Sequence, residues 1–189
     1  MNKYEDTYQF QDVKIPMKNL DKIEFLIAKF NSSAVIDWEN KMYFWGDYYD
    51  GFKIKTPEFI YDFEDKLIDI SFGLKHALAL LDTGKVYSWG DGTYGELGQG
   101  RYYMINEPKE IKFFSEENIQ VVKVEAGSWH SIVLDTLGWL WGFGVSSSDS
   151  RFEVWTNIPK LVDMIKFKSI DVFVGDNHSV AVSKNGVPY

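Results

Sequence analysis

Ile68-Asp-Ile-Ser-Phe-Gly-Leu-Lys-His-Ala-Leu-Ala-Leu-Leu-Asp-Thr-Gly-Lys-Val-Tyr-Ser-Trp-Gly-Asp-Gly-Thr-Tyr-Gly-Glu-Leu-Gly-Gln-Gly100 is the stretch that decides the fold of this 189-residue chain. Runs of four to six residues, rich in apolar and β-branched types and bounded by Gly and Asp, are strand signals. Three follow one another here: about Ile68–Phe72, Ala77–Leu81 and Val86–Trp89. The Gly-rich loop Gly90–Glu107 comes next, and then a short apolar segment, Ile111–Phe114, that reads as a fourth strand.

The unit recurs, and internal periodicity outranks any local signal. All three histidines sit in Gly-x-x-His with a second Gly eight residues on: Gly73/His76/Gly84, Gly127/His130/Gly138 and Gly175/His178/Gly186. An apolar strand follows each His, as in His130-Ser-Ile-Val-Leu134 and His178-Ser-Val-Ala-Val182. A degenerate copy lies upstream, where Trp45-Gly46 falls on Trp89-Gly90. It carries Ser32 at the His position, Lys29 at the first Gly and Asn40 at the second. Asn is the usual substitute for Gly where a turn needs positive φ. A proline follows each long loop: Pro16, Pro57, Pro108 and Pro159. Four-stranded units repeating every 44–54 residues are propeller blades. The expected fold is therefore all-β, with four-stranded antiparallel blades forming an open arc of three to four. The boundaries are 1–22 for the end of a preceding blade, 23–66 for the degenerate repeat, 67–118 and 119–168 for full repeats, and 169–189 for a truncated one. Only Met17–Phe30 hints at a helix.

Composition agrees. Aromatic residues make up 17% of the chain, suited to half-buried pleated surfaces. Cysteine is absent, which removes disulfides, thiolate nucleophiles and Cys-based metal sites. Apolar stretches reach only four or five residues, as in Phe25-Leu26-Ile27-Ala28, against roughly 20 for a membrane helix. With no signal-peptide run behind Met1–Asp6, the reading is an intracellular protein, cytoplasmic rather than nuclear. A net charge of −8 disfavours nucleic acid, chromatin and anionic membranes.

Apparent sites dissolve on inspection. The repeat itself explains the spacing of the three histidines, so they read as structural rather than as a metal ring. His130-Ser131 and His178-Ser179 are not catalytic dyads, because neighbours on a strand point to opposite faces. Gly90-x-Gly92-x-x-Gly95 has the dinucleotide spacing, but no helix follows it. Neither catalytic residues nor a cofactor or metal is expected. The long loops remain, carrying Tyr48 and Tyr49; Tyr94, Glu96, Arg101, Tyr102 and Tyr103; and Arg151 and Trp155. Tyr, Trp and Arg are the residues enriched at interface hot spots.

The stretch from Ile68 to Gly100 resembles the regulator of chromosome condensation repeat family, as do Val121–Gly144 and Ser169–Tyr189. The resemblance implies a β-propeller, usually of seven blades, that acts mainly as a rigid surface for other proteins. The expected function is a non-catalytic protein-interaction module working through loops and rim. The alternative the family allows is guanine-nucleotide exchange on a small GTPase, although the exchange loop of that member is not recognisable here. The repeats amount to about half a family propeller, so the expectation is a fragment or one module of a larger assembly. Its open flanks would expose Val180, Val182 and the Ile23–Phe30 segment, and it would self-associate. Closing a four-bladed ring ranks below these, because it would crowd the inner side chains.

Overall fold

A computed structural model describes residues 13–16, 23–47, 53–145, 156–163 and 166–189. Its strands form successive antiparallel sheets. Blade one is β1 (Ile23–Lys29), β2 (Ser32–Asp37), β3 (Lys41–Asp47) and β4 (Lys53–Asp62). Blade two is β5 (Leu67–Phe72), β6 (His76–Leu81), β7 (Val86–Gly90) and β8 (Ile105–Glu110). Blade three is β9 (Val121–Ala126), β10 (His130–Asp135), β11 (Leu140–Gly144) and β12 (Thr156–Leu161). A fourth sheet pairs β13 (Ser169–Val174) with β14 (Ser179–Ser183). Tyr189 exchanges backbone hydrogen bonds with Ala181, beside an isolated bridge between Val182 and Pro188. The segment that hinted at a helix is strand β1 over its described part.

Two expectations change. The fourth strand of blade two is Ile105–Glu110, not Ile111–Phe114, and Lys112–Glu116 is a short helix, α1. In α1 the apolar pair Phe113–Phe114 plugs the outer end of the joint, Phe114 buried and Phe113 edge-on to Trp141 at 5.5 Å. The polar sequence of β8 suits an outermost strand. Pro57, Pro108 and Pro159 each lie buried within such a strand, beside a register shift that recurs in all three blades. Proline lacks the N–H a ladder requires, so edge strands and bulges are where it fits.

The interiors of blades two and three are apolar on both faces because each of these blades is clamped between neighbours. Along β6, Ala77, Ala79 and Leu81 join the core shared with blade one, which contains Ala34, Ile36, Met42 and Phe44. The alternate residues Leu78 and Leu80 join the core shared with blade three, with Val124, Val133 and Phe143. Leu134 and Leu140 meet Val172 and Ala181 between blades three and four. Strands β5, β9 and β13 lie side by side at the inner rim. Their free edges are stitched by side chains: the Val124 and Ala126 N–H groups donate to Asp69 Oδ2 and Ser71 Oγ, both at 3.0 Å. Lys123 Nζ donates to the Val172 carbonyl at 2.7 Å. Burial raises the pKa of the Asp69 carboxyl, and the bond from Val124 N–H opposes it.

The Gly-x-x-His pattern is the key to these joints. His76 Nε2 hydrogen-bonds Ser131 Oγ of blade three, and His130 Nε2 bonds Ser179 Oγ of blade four, each at 2.9 Å. Each of these two histidines thus pairs with a serine on the next blade, and His130 does not pair with the serine beside it. The ring lies against the glycine three residues earlier. A Cβ on Gly73 would sit 2.3 Å from His76 Cε1, and one on Gly127 would sit 2.4 Å from His130 Cε1. Those glycines also touch the next blade, where Leu74 N–H donates to the Gly127 carbonyl at 3.2 Å. In blade one both residues change together. Ser32 Oγ turns to the Asp47 carbonyl, and Lys29 Nζ reaches to the Ala126 carbonyl of blade three. Burial lowers the Lys29 pKa, against the attraction of Glu125 and Asp176. Asn40 has the expected positive φ, 64°.

Glu96 was expected to face a partner, and the structure corrects this: it is fully buried. Its loop folds back onto blade three, so the Glu96 carbonyl accepts from Ser131 Oγ at 2.8 Å and Oε2 accepts from Tyr94 N–H at 2.8 Å. Oε1 has no hydrogen-bond partner among the described residues. Burial raises the Glu96 pKa to about 7. Burial likewise holds His76 neutral, its pKa lowered to about 3, and His130 neutral at about 4.

Two outcomes are expected. Gly127→Ala should lose about 1–3 kcal/mol by overpacking, read as a lowered unfolding midpoint, and part of that loss should vanish in a His130→Ala background, where the ring is gone and the Gly175 carbonyl, 2.9 Å from the added Cβ, still crowds it. The second concerns pH. Below the ordinary His pKa of 6.5 the unfolded chain takes protons on His76 and His130 that the folded chain refuses until about 3 and 4. Each His therefore withdraws up to about 1.4 kcal/mol of stability per pH unit on acidification. Glu96 acts oppositely between its ordinary value of 4.5 and about 7, since the folded chain keeps a proton the unfolded chain has lost. These three groups together predict a net loss from pH 6 to 5. Denaturant titrations on Glu96→Gln should show that slope roughly doubled, because one opposing proton from the three is removed.

Candidate functional site

The long loops share one end of the arc. Gly46 pairs with Ser32, Gly90 with His76 and Gly144 with His130, so the loop leaving each third strand emerges beside the Gly-x-x-His turns. The opposite end carries tight turns. There Asp37 Oδ1 accepts from Glu39 and Lys41 N–H, and Asp135 Oδ1 accepts from Leu137 and Trp139 N–H.

The loop between β7 and β8 is the largest described at the first end, and its glycines serve close approach. A Cβ on Gly95 would lie 2.7 Å from the Thr156 carbonyl, and one on Gly98 would lie 2.9 Å from the Phe143 ring. Gly90 and Gly95 have φ of 104° and 86°. Gly100 N–H donates to the Asn157 carbonyl at 2.6 Å. Ser88 Oγ donates to the Leu97 carbonyl, and Gln99 Nε2 bonds Ser88 Oγ and the Lys109 carbonyl. The Gly-x-Gly-x-x-Gly spacing therefore builds a strap across the joint between blades two and three.

What this strap leaves outside is apolar and aromatic. Tyr102 is 55% exposed, with Tyr103, Met104 and Tyr94 also exposed. Arg101 stands 6.0 Å from the Tyr103 ring centroid. Ile158 of β12, itself exposed, adjoins at Gly100. Tyr94 packs edge-on against Trp129 at 5.0 Å. The patch thus rests on a rigid base, and four of the five residues nominated from this loop lie on the surface. Sequence reasoning passed over Met104, Ile158 and the seat that Trp129 provides for Tyr94; the first two carry no repeat signature. Tyr48, Tyr49, Arg151 and Trp155 lie outside the described residues. The surface offers hydrophobic contact, π-faces and a guanidinium, the means of binding another protein. Among the described residues no group of three or more His, Asp or Glu side chains could hold a metal ion.

The sequence matches the regulator of chromosome condensation (RCC1) repeat over residues 67–96 and 83–134. The human E3 ubiquitin-protein ligase HERC2 is 35% identical over 126 residues, 64% of this chain and 3% of that protein. Mouse RCC1 domain-containing protein 1 is 34% identical over 85 residues, 44% of this chain and 22% of its own. The chain thus spans a small part of the length of these relatives. Among solved structures, Prp20p of Saccharomyces cerevisiae, a protein with binding properties toward Gsp1p and histones, superposes with a TM-score of 0.75 at 22% identity. The superposition covers 93% of this chain and 46% of Prp20p. Three four-stranded blades and part of a fourth, the later ones joined through Gly-x-x-His turns, make this chain an arc of β-propeller blades that carries regulator of chromosome condensation repeats.

Proposed function

We propose that the chain is a non-catalytic protein-interaction module that binds its partner through the loop end of the arc. The observation that carries this reading is the exposed cluster of Arg101, Tyr102, Tyr103 and Met104, held on a strap whose backbone is pinned to blade three. A pre-ordered aromatic patch loses little conformational entropy on binding, which is what a hot spot needs. The loops that hold Tyr48, Tyr49, Arg151 and Trp155 leave from the same end and would widen the surface. The reaction-bearing groups of the repeat point the other way, into the joints: His76, His130 and Glu96 are all buried.

A second reading, nucleotide exchange on a small GTPase, is favoured by the fold shared with Prp20p, which binds Gsp1p. The two readings part in the assay. Wild type and an Arg101→Ala/Tyr102→Ala/Tyr103→Ala variant, compared in parallel affinity captures, should differ by at least tenfold in a defined set of bound proteins, at unchanged unfolding midpoint. Each aromatic anchor is expected to account for about 1–2 kcal/mol. Equal capture by both proteins would overturn the loop surface. Accelerated release of labelled nucleotide from a small GTPase would replace the module reading with exchange.

A further inference from the structure

The strap between β7 and β8 is held by two sets of contacts. To its own blade it is tied by Ser88 Oγ, which donates to the Leu97 carbonyl at 2.7 Å, and by Gln99 Nε2, which donates to the Lys109 carbonyl at 2.9 Å. To blade three it is tied by the bond from Ser131 Oγ to the Glu96 carbonyl, the bond from Gly100 N–H to the Asn157 carbonyl, and the edge-on contact of Tyr94 with Trp129. Glu96 lies in the middle of this second set, fully buried. Its backbone is so close to blade three that a Cβ on Gly144 would stand 3.0 Å from Glu96 Cα.

A carboxyl in that place is poorly provided for once ionised. Oε2 accepts one bond, from Tyr94 N–H, and Oε1 has no hydrogen-bond partner among the described residues. The charge that acts on it is that of Asp91, of the same sign. The strands it faces bring nothing to offset this. His76, linked through the Ser131 hydroxyl, and His130 are held neutral by burial. Gly144 of β11 and residues 156–158 of β12 are uncharged. A buried carboxylate with unfilled lone pairs either takes a proton or moves to water. Taking a proton keeps the strap down, whereas reaching water requires the strap to leave blade three.

We propose that the strap is a proton-operated latch on blade three, closed while Glu96 is protonated and loosened when it ionises. The bonds made by Ser88 and Gln99 lie within blade two, so they persist when the strap parts from blade three. The direction follows from the two environments. In the closed strap Glu96 keeps its proton up to about pH 7, whereas in water it releases it near the ordinary 4.5. The closed form is therefore favoured in acid and gives way as pH rises through that interval. The opening constant grows by up to about tenfold per pH unit there and is level above it. Arg101, Tyr102, Tyr103 and Met104 follow directly on this strap, so the latch sets how well ordered that surface is. Its bearing on partner binding rests on the function proposed above; the latch has a readout of its own.

The test measures opening rather than binding. Amide hydrogen-exchange protection is followed by nuclear magnetic resonance at Tyr94 and Gly100, from pH 5 to 8, on the whole chain and on Glu96→Gln, which is uncharged and of the same shape. The ratio of variant to wild-type protection cancels what His76 and His130 contribute to both proteins. That ratio is expected to rise by about threefold to tenfold per pH unit up to pH 7 and then to level off. At Gly84, whose N–H donates to the Leu81 carbonyl in a turn at the opposite end, the ratio should stay constant. A ratio independent of pH at Tyr94 and Gly100, or an equal rise at Gly84, would overturn the proposal. Should Glu96→Gln fail to fold, the carboxyl carbon of Glu96 in the wild type serves instead. Its titration midpoint is expected well above 4.5, and a midpoint at or below that value would overturn the latch.

Discussion

An imidazole seated against a backbone without a Cβ is the contact shared by the joints between blades two and three and between blades three and four. It needs three things at once: a glycine three residues earlier, a serine on the following blade, and removal of the ring from water. Each is present for His76 and His130, and their lowered pKa values record the last. Because the ring is neutral, one nitrogen can meet the serine hydroxyl without carrying charge into the interior. Blade one bears out the coupling. Where Ser32 replaces the histidine, Lys29 replaces the glycine, and the lysine side chain leaves to bind a blade-three carbonyl.

The fold was legible where burial is two-sided. His76–Leu81 must satisfy a blade on each face, and so it reads as an unbroken apolar run. Its ends, and those of β5 and β7, could be located within a residue from Gly and Asp alone. The outermost strands have no such demand. Ile105–Glu110 is polar but for Ile105 and Pro108, whereas Phe113–Phe114 looks like a strand and is a helical plug. Apolar content there tracked proximity to a joint rather than participation in a sheet.

The loop site was legible in part. Tyr102 and Tyr103 stand out as aromatics with no place in the repeat. Glu96 sits in the same loop and reads as solvated by its charge, yet the strap carries it beneath Tyr94 to the Ser131 hydroxyl. Loops have no periodicity to reveal which side chain turns inward. The signal for Glu96 lay instead in its neighbours, since Gly95 and Gly98 show that the backbone lies hard against another blade.

One consequence follows from the histidine–serine pairing across blades. The chemical unit of the chain is the boundary between sheets, and its two sides carry the same parts at each complete boundary. Excising blade three would bring His76 opposite Ser179, the same pair already made by His130. Excising blade two would instead set Ser32 opposite Ser131, two hydroxyls where an imidazole belongs. The third blade is thus interchangeable within the arc and the first is not, because its Ser32 turns to the Asp47 carbonyl of its own sheet and leaves a cavity against the turn that begins at Gly73.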